Sequence, residues 1–162
     1  MHVFPDASQI GLISDTHGLL REEALAALHG SHLILHAGDV GDPEILTALR
    51  RLAPVVAIRG NIDTESWAES LPATELVTAG GVAIYMLHDR KSLDLVPEAA
   101  GFSIVLSGHS HKPAQELRRT VLYINPGSAG PRRFQLPITV ARLNLNAKPW
   151  KAEIVTLSAP TR

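Results

Sequence analysis

Cysteine is absent from this sequence of 162 residues. Its absence excludes disulfide bonds, thiolate zinc sites, iron–sulfur clusters and thiol nucleophiles. Aromatic residues are scarce at 4%, and the longest apolar runs, such as Val82 to Leu87, are far shorter than the roughly 20 residues of a membrane-spanning helix. A basic excess is missing as well, because 15 Lys and Arg against 16 Asp and Glu give a formal net charge of −1. We therefore expect neither a membrane partner nor nucleic-acid binding, which needs a strongly basic face.

The amino terminus, Met1 to Asp6, has neither the basic start nor the apolar core of a signal peptide. Apolar residues make up 45% of the sequence, which excludes intrinsic disorder at this small net charge. The length suits one domain, since chains of this size bury about 68–70% of their unfolded surface. We expect a soluble, cytoplasmic protein in which residues 1–162 form a single domain.

Short apolar runs alternate with helix-like segments in the first half of the sequence. Apolar residues recur at helical spacing from Leu20 to Leu28, and Asp42 before Pro43 predicts a capped helix start. The strands predicted here are Gln9 to Ser14, His32 to Ala37 and Pro54 to Arg59. This β-α-β-α-β order indicates parallel strands joined by crossover helices.

Strands with short connections dominate the second half. Gly80-Gly81 predicts a hairpin turn, and Leu93 to Ala100 is the candidate helix, although it contains Pro97. The predicted strands are Thr74 to Val77, Val82 to Leu87, Ser103 to Ser107, Val121 to Asn125, Ile138 to Leu143 and Glu153 to Leu157. We expect an α/β fold of mixed sheets with helices outside.

Side chains of the kinds that bind metals follow five of these strands. Ligands of open α/β sheets bind beyond the carboxyl ends of the strands, so these side chains are expected to converge. They are Asp15, His17, Asp39, Asn61, His88, His109 and His111. Their donor types suit Mn²⁺, Fe²⁺, Zn²⁺ or Ni²⁺, and seven donors fit two ions that share one carboxylate. Gly38, Gly60 and Gly108 each directly precede a donor and permit tight turns.

The ordered series Asp-x-His, Gly-Asp-x-x-Asp, Gly-Asn-x-Asp, His and Gly-His-x-His resembles the calcineurin-like metallophosphoesterase superfamily. In particular it is similar to the small single-domain bacterial and archaeal phosphodiesterases of that superfamily. The match runs from about Ile10 to Arg133 and includes the block Asn125-Pro126-Gly127-Ser128. The resemblance implies a four-layer sandwich of two mixed β-sheets flanked by helices. It also implies two divalent ions, with Mn²⁺ as the expected metal and Ni²⁺, Zn²⁺ or Fe²⁺ as alternatives.

The resemblance further implies a role for each donor. Asp15, His17 and His111 would hold the first ion, Asn61, His88 and His109 would hold the second, and Asp39 would bridge both. A hydroxide shared by the ions would attack the phosphorus of a small phosphoester, most simply a phosphodiester. The catalytic residues would be Asp39, Asn61 and His88, and substrate phosphate would contact Asn61 and Arg59.

Three further residues are candidates for supporting the ligands. Asp42 and Asp63 are placed to hold ligand imidazoles or turn amides, although each is also interpretable as a helix cap, Asp63 for a segment that starts near Thr64. His36 is expected to be a hydrogen-bonded core histidine that supports the site and is not itself a ligand.

Two positions depart from the family pattern. Ile62 follows Gly60-Asn61 where many members carry a His that protonates the leaving group, so activity is expected to depend on good leaving groups. Asp89 follows His88 where the subfamily usually has Gly, and this carboxylate would either tighten metal binding or repel phosphate. Arg132-Arg133 is interpreted as a solvated basic pair, in preference to a phosphate contact.

Alternatives to phosphodiester hydrolysis remain at this stage. The family includes a retromer subunit that serves as a scaffold, so a non-catalytic binding module is one of them. A phosphomonoesterase or nucleotide pyrophosphatase with the same ligands is another. Trp67 and Trp150 are interpreted as packing residues or as contacts in a homo-oligomer.

Overall fold

Residues 1–157 are described by the computed structural model, and eleven strands in this range form two sheets. The strands are β1 (His2–Phe4), β2 (Gln9–Ile13), β3 (Leu33–His36), β4 (Val55–Ala57), β5 (Thr74–Ala79), β6 (Val82–Leu87), β7 (Ile104–Leu106), β8 (Ala114–Arg118), β9 (Val121–Asn125), β10 (Thr139–Asn144) and β11 (Ala152–Thr156). The α-helices are α1 (Glu22–Leu28), α2 (Pro43–Arg50) and α3 (Pro97–Ala100), and 3₁₀ helices cover Ser66–Ser70 and Arg90–Ser92.

Both sheets are mixed, as predicted. The five-stranded sheet has the order β11-β10-β2-β3-β4. Strands β2, β3 and β4 are parallel to one another, and β10 is antiparallel to both of its neighbours, β2 and β11. The six-stranded sheet has the order β1-β5-β6-β7-β9-β8, in which β6, β7 and β9 are parallel. Ile13, His36 and Ala57 are register partners at the ends of β2, β3 and β4. The carboxyl ends of these three strands therefore meet at one edge.

The main core lies between the two sheets. Leu12 on β2 and Leu35 on β3 pack there against Ile84, Met86 and other side chains of the six-stranded sheet. Successive side chains of a strand point to opposite faces, and the other face of the five-stranded sheet packs on the helices. A second cluster of buried side chains joins that face to α1 and α2. It includes Ile13 and Ile34 of the sheet, Leu28 of α1 and Leu49 of α2.

Several predicted boundaries change for identifiable reasons. The helix predicted over Leu93 to Ala100 is confirmed only in its second half, because α3 begins at Pro97. Proline lacks a backbone N–H and fits the first helical position but not the interior. The hairpin at Gly80-Gly81 is confirmed, since both glycines have positive φ and Ala79 pairs with Val82.

Strands β1 and β8 were not predicted. Both are edge strands, and β8 is largely exposed with the polar sequence AQELR. Both tryptophans pack against core clusters, and Trp150 donates its indole N–H to the Leu145 carbonyl at 3.1 Å. A homo-oligomer remains a prediction. None of the helices within residues 1–157 combines the length and the apolar character that crossing a membrane requires.

Candidate metal centre

The loops after β2, β3, β6 and β7 are joined by backbone hydrogen bonds at the edge where these strands end. The N–H of Asp15 donates to the Gly38 carbonyl at 3.0 Å, and that of His17 donates to the Asp39 carbonyl at 2.9 Å. The N–H of Gly108 donates to the His88 carbonyl at 2.9 Å. The His109 N–H also donates to Asp15 Oδ2 at 3.1 Å, which links the loops of the two sheets. Side chains from both sheets therefore lie close together at this edge.

Two carboxylates and three imidazoles form the centre of this cluster. Asp39 Oδ2 lies 3.4 Å from His17 Nε2 and 3.2 Å from His88 Nε2. Asp15 Oδ1 lies 3.7 Å from His17 Nε2, 3.8 Å from His88 Nε2 and 3.4 Å from His111 Nε2. The Nε2 atoms of His17 and His111 are 3.2 Å apart. Donor atoms at such separations are close enough together to bind a common cation.

The donors divide into two overlapping groups. Asp15, His17 and His111 form one, and Asp15, Asp39 and His88 form the other, with the donor atoms of each group within 4.8 Å of one another. The first coincides with the set that the sequence assigns to one ion. Asp39 contacts imidazoles of both groups, as a bridging ligand would.

The other two predicted donors lie at the rim. Asn61 and His109 line a cavity of about 500 Å³ together with His88. The His88 and His109 rings meet edge to face with centroids 5.2 Å apart. Asn61 and His109 are exposed to solvent, whereas the carboxylates of the centre are buried.

Unpartnered polar atoms show that this centre fits a cation. The Nδ1–H of His88 donates to the Ala37 carbonyl at 2.7 Å, so Nε2 is the ring nitrogen that remains to face the carboxylates. Within residues 1–157, neither His88 Nε2 nor Asp15 Oδ1 has a hydrogen-bond partner, although both atoms are buried. Buried polar atoms without partners are costly, and a divalent ion would satisfy both. Carboxylate and imidazole donors match the borderline metals named above.

The electrostatics keep the carboxylates ionised. Burial by itself would raise the pKa of Asp15, but its interaction with His17, the hydrogen bond of Ser14 and the charges of His88 and His111 outweigh it, so this pKa lies below its usual value. The pKa of Asp39 is lowered in the same way by His88 and by the Ile62 N–H, against the opposing effect of burial. Both ligands therefore carry negative charge at neutral pH.

Backbone strain is concentrated at the predicted donors. Seven non-glycine residues of the described chain have positive φ, and five are predicted ligands: Asp15 (55°), His17 (46°), Asp39 (55°), His109 (72°) and His111 (63°). Such conformations cost about 1–3 kcal/mol each and cluster at functional sites. The strain is independent of the sequence motif and points to the same residues.

Comparison with known proteins identifies the family. The profile of the calcineurin-like phosphoesterase superfamily domain matches residues 9–148. A probable metallophosphoesterase of Methanothermobacter thermautotrophicus is 35% identical, over 93% of this chain and 94% of that protein. This chain belongs to the calcineurin-like phosphoesterase superfamily.

Solved structures show the same fold. A novel archaeal phosphodiesterase superposes with a TM-score of 0.77 at 22% identity, over 91% of this chain and 99% of that one. Vps29 of Chaetomium thermophilum superposes with a TM-score of 0.74 at 20% identity, over 95% of this chain and 100% of that one. The predicted fold class and family are confirmed.

Asp63 holds the loops that carry two donors of this phosphoesterase domain. Its buried carboxylate accepts the N–H groups of Val40 and Gly41 at 3.0 Å and of Gly60 at 2.9 Å. Val40 and Gly41 directly follow Asp39, and Gly60 directly precedes Asn61. Asp63 does not cap the following helix, which begins at Ser66 after Glu65.

His36 and Asp42 have simpler roles. His36 is fully buried, accepts the Gly38 N–H at 3.1 Å and lies 3.0 Å from Thr16 Oγ1. Burial lowers its pKa to about 4, so the ring is neutral and joins the loops after β2 and β3. Asp42 accepts the Glu44 N–H at 2.9 Å as the cap of α2, and within residues 1–157 it makes no hydrogen bond or ion pair with a ligand imidazole.

Two glycines permit a close approach of backbone to the ligands. A Cβ at Gly60 would collide with the backbone nitrogen and Oδ1 of Asp39, and one at Gly108 would collide with Ser14 Oγ. Ser14 Oγ donates to Asp15 Oδ2 at 2.6 Å. Ser14 is not among the site residues predicted from the sequence, although its position directly before Asp15 is a usable signal.

Arginines border the centre at two ends. Arg132 and Arg133 are exposed, yet they line a cavity of about 150 Å³ with His17 and His111. Arg59 lines the cavity of Asn61 and His88, and its Nη1 donates to the Leu71 carbonyl at 2.6 Å. The basic pair thus lies closer to the donors than the sequence analysis expected.

Proposed function

We propose that this protein is a divalent-metal-dependent phosphodiesterase of one domain, acting in the cytoplasm on a small phosphoester with two Mn²⁺ ions as the expected cofactor. One observation carries this proposal: two carboxylates and three imidazoles converge, and two of their buried atoms, Asp15 Oδ1 and His88 Nε2, have no hydrogen-bond partner within the described residues. The five converging residues are Asp15, Asp39, His17, His88 and His111. The family supports metal-dependent phosphoester hydrolysis. The choice of a diester rests on the shape of the cleft.

Each ion would have its own set of donors. Asp15, His17 and His111 would hold the first, Asn61, His88 and His109 would hold the second, and Asp39 would bridge them. Bound divalent ions activate water and neutralise charge on phosphate oxygens. The chain orients its own groups for this: the Ala37 carbonyl fixes the tautomer of His88, and the Ile62 N–H fixes the Asp39 carboxylate. The Asn61 amide, at the open rim, is placed to donate to a phosphate oxygen.

The cleft supports a substrate with two ester substituents. A groove of about 740 Å³ and the cavity of about 500 Å³ lie on either side of His109 and Asp89, which line both. A phosphodiester at this junction would place one substituent in each space, whereas a monoester would fill only one. Basic side chains, including Arg90 and Lys112, line the larger groove.

Metal removal tests the proposed activity. We expect chelator-treated protein to lose at least about 100-fold in hydrolysis of bis(p-nitrophenyl) phosphate, because metal ions supply several kcal/mol of transition-state stabilisation. Added Mn²⁺ restores turnover, and the rate with p-nitrophenyl phosphate is lower. Full activity of the metal-free protein would contradict the proposal. Stoichiometric Mn²⁺ without turnover on diester or monoester would favour the scaffold role.

Leaving-group dependence tests the consequence of Ile62. This side chain is 40% exposed next to Asn61 and cannot donate a proton. We expect kcat/KM to fall steeply as the leaving-group pKa rises across a series of aryl and alkyl methyl phosphodiesters. Ile62→His should raise the rate for the poorest leaving groups by about 100-fold, the lower end of general-acid effects. Equal rates for aryl and alkyl esters in the wild type would contradict this.

A further inference from the structure

The carboxylate of Asp89 lies beside an imidazole that is proposed to bind the second ion. Its Oδ2 is 3.8 Å from His109 Nε2. Asp89 directly follows His88 in the chain and lines the same cavity as Asn61, His88 and His109. It therefore borders the cavity that all three proposed ligands of the second ion line.

The two oxygens of Asp89 have different tasks. Oδ1 accepts the Lys91 N–H at 3.0 Å and caps the 3₁₀ helix Arg90–Ser92. This hydrogen bond fixes the carboxylate and leaves Oδ2 facing His109. Among residues 1–157, Asp89 forms no ion pair with Lys or Arg, so its charge is not neutralised by a basic side chain.

The separation of 3.8 Å matches the distances between donors at the centre of the site. His17 Nε2 and Asp15 Oδ1 are 3.7 Å apart, and His88 Nε2 and Asp15 Oδ1 are 3.8 Å apart. We infer that Asp89 is a further ligand of the second divalent cation, which it binds through Oδ2. This inference rests on the proposed metal-dependent function and adds an eighth donor to it.

An additional carboxylate changes the chemistry of the second site. With Asp39, Asn61 and Asp89 the site has three oxygen donors beside its two imidazoles. Oxygen-rich sites suit harder ions such as Mn²⁺, and the added negative charge strengthens binding of any cation. Asp89 also lines the larger groove, so this ligand lies where the two spaces meet.

The variant Asp89→Asn separates the metal-binding role from the capping role. Asn caps helices as well as Asp does, but it has only one acceptor oxygen and cannot cap and ligate at once. Asp94→Asn is the matched control, because Asp94 lines the same cavity and its loss removes the same charge. Asp89→Ser, a second capping variant whose side chain is too short to reach the ion, keeps the test available if Asp89→Asn folds poorly.

Titration of metal-free protein with Mn²⁺ by calorimetry, with circular dichroism as a check on folding, gives the readout. We expect wild type and Asp94→Asn to bind two ions with affinities within about twofold of each other. Asp89→Asn and Asp89→Ser should bind the second ion at least about tenfold more weakly, within the range for site residues of metal centres. Unchanged affinity in both Asp89 variants, or an equal loss in Asp94→Asn, would overturn the inference and leave the proposed function standing. Wild-type protein that binds no Mn²⁺ would overturn both.

Discussion

Asp39→Asn is expected to lower kcat/KM for bis(p-nitrophenyl) phosphate by at least about 10³-fold, a loss of roughly 4 kcal/mol in transition-state stabilisation. Asp39 Oδ2 faces His17 and His88 at 3.4 and 3.2 Å, and no other carboxylate oxygen within residues 1–157 lies this close to both rings. Asn keeps the acceptor for the Ile62 N–H but removes the negative charge and one oxygen donor. Loss of the bridge weakens both ions together.

The metal content of this variant shows whether the bridge is the cause. Asp39→Asn should retain its circular dichroism spectrum while its bound Mn²⁺, measured by elemental analysis after dialysis, falls below that of the wild type. Asp6→Asn, which removes one exposed carboxylate from the turn after β1, is the charge-matched control and should keep full activity. Wild-type turnover in Asp39→Asn would exclude a bridging role.

Asp63→Ala is expected to reduce the free energy of unfolding by about 3–5 kcal/mol, the usual cost of breaking a buried charged network. Its carboxylate, 5% exposed, accepts three backbone N–H groups. Removing it leaves buried donors without partners, each at a cost of about 1–3 kcal/mol, although such costs do not add fully. The loops that carry Asp39 and Asn61 lose their common anchor, so activity should fall as well.

Asp42→Ala provides the comparison for Asp63→Ala. Each aspartate ends a motif that carries a proposed donor, Gly-Asp-x-x-Asp for Asp42 and Gly-Asn-x-Asp for Asp63. Asp42 only caps α2, and loss of a cap costs about 1 kcal/mol. Urea unfolding of the two metal-free variants should therefore give clearly different midpoints, with Asp63→Ala the lower. Using metal-free protein removes the contribution of ion binding to stability. Equal midpoints would show that Asp63 does not organise the loops.

The sequence predicts the half of the fold in which local signals agree with tertiary structure. Ile- and Leu-rich runs predict β2 and β3, and Pro43 after Asp42 predicts the start of α2. Each of these patterns strongly favours one type of secondary structure. Strand β8 is not predicted because it lacks a run of apolar residues. As an edge strand it is paired on one side only, and its residues are mostly polar and exposed. Its position depends on pairing with β9 and not on its own composition.

The site shows the same division. The donors are predictable because each follows a buried strand whose carboxyl end meets the others. The anchoring by Asp63 is not predictable, since two of its amide partners lie more than twenty residues earlier in the chain. The proximity of Arg132 and Arg133 to His17 likewise depends on how the loop after β9 contacts the loop after β2.

Anomalous diffraction from crystals grown with Mn²⁺ tests most directly whether the converging donors hold a pair of cations around Asp39. The predicted result is two peaks roughly 3.5–4 Å apart, the usual separation in two-metal sites. One peak should lie among Asp15, His17 and His111, the other should lie among Asn61, His88 and His109, and Asp39 should contact both. A single peak at saturating Mn²⁺, or two peaks that do not share Asp39, would contradict the account.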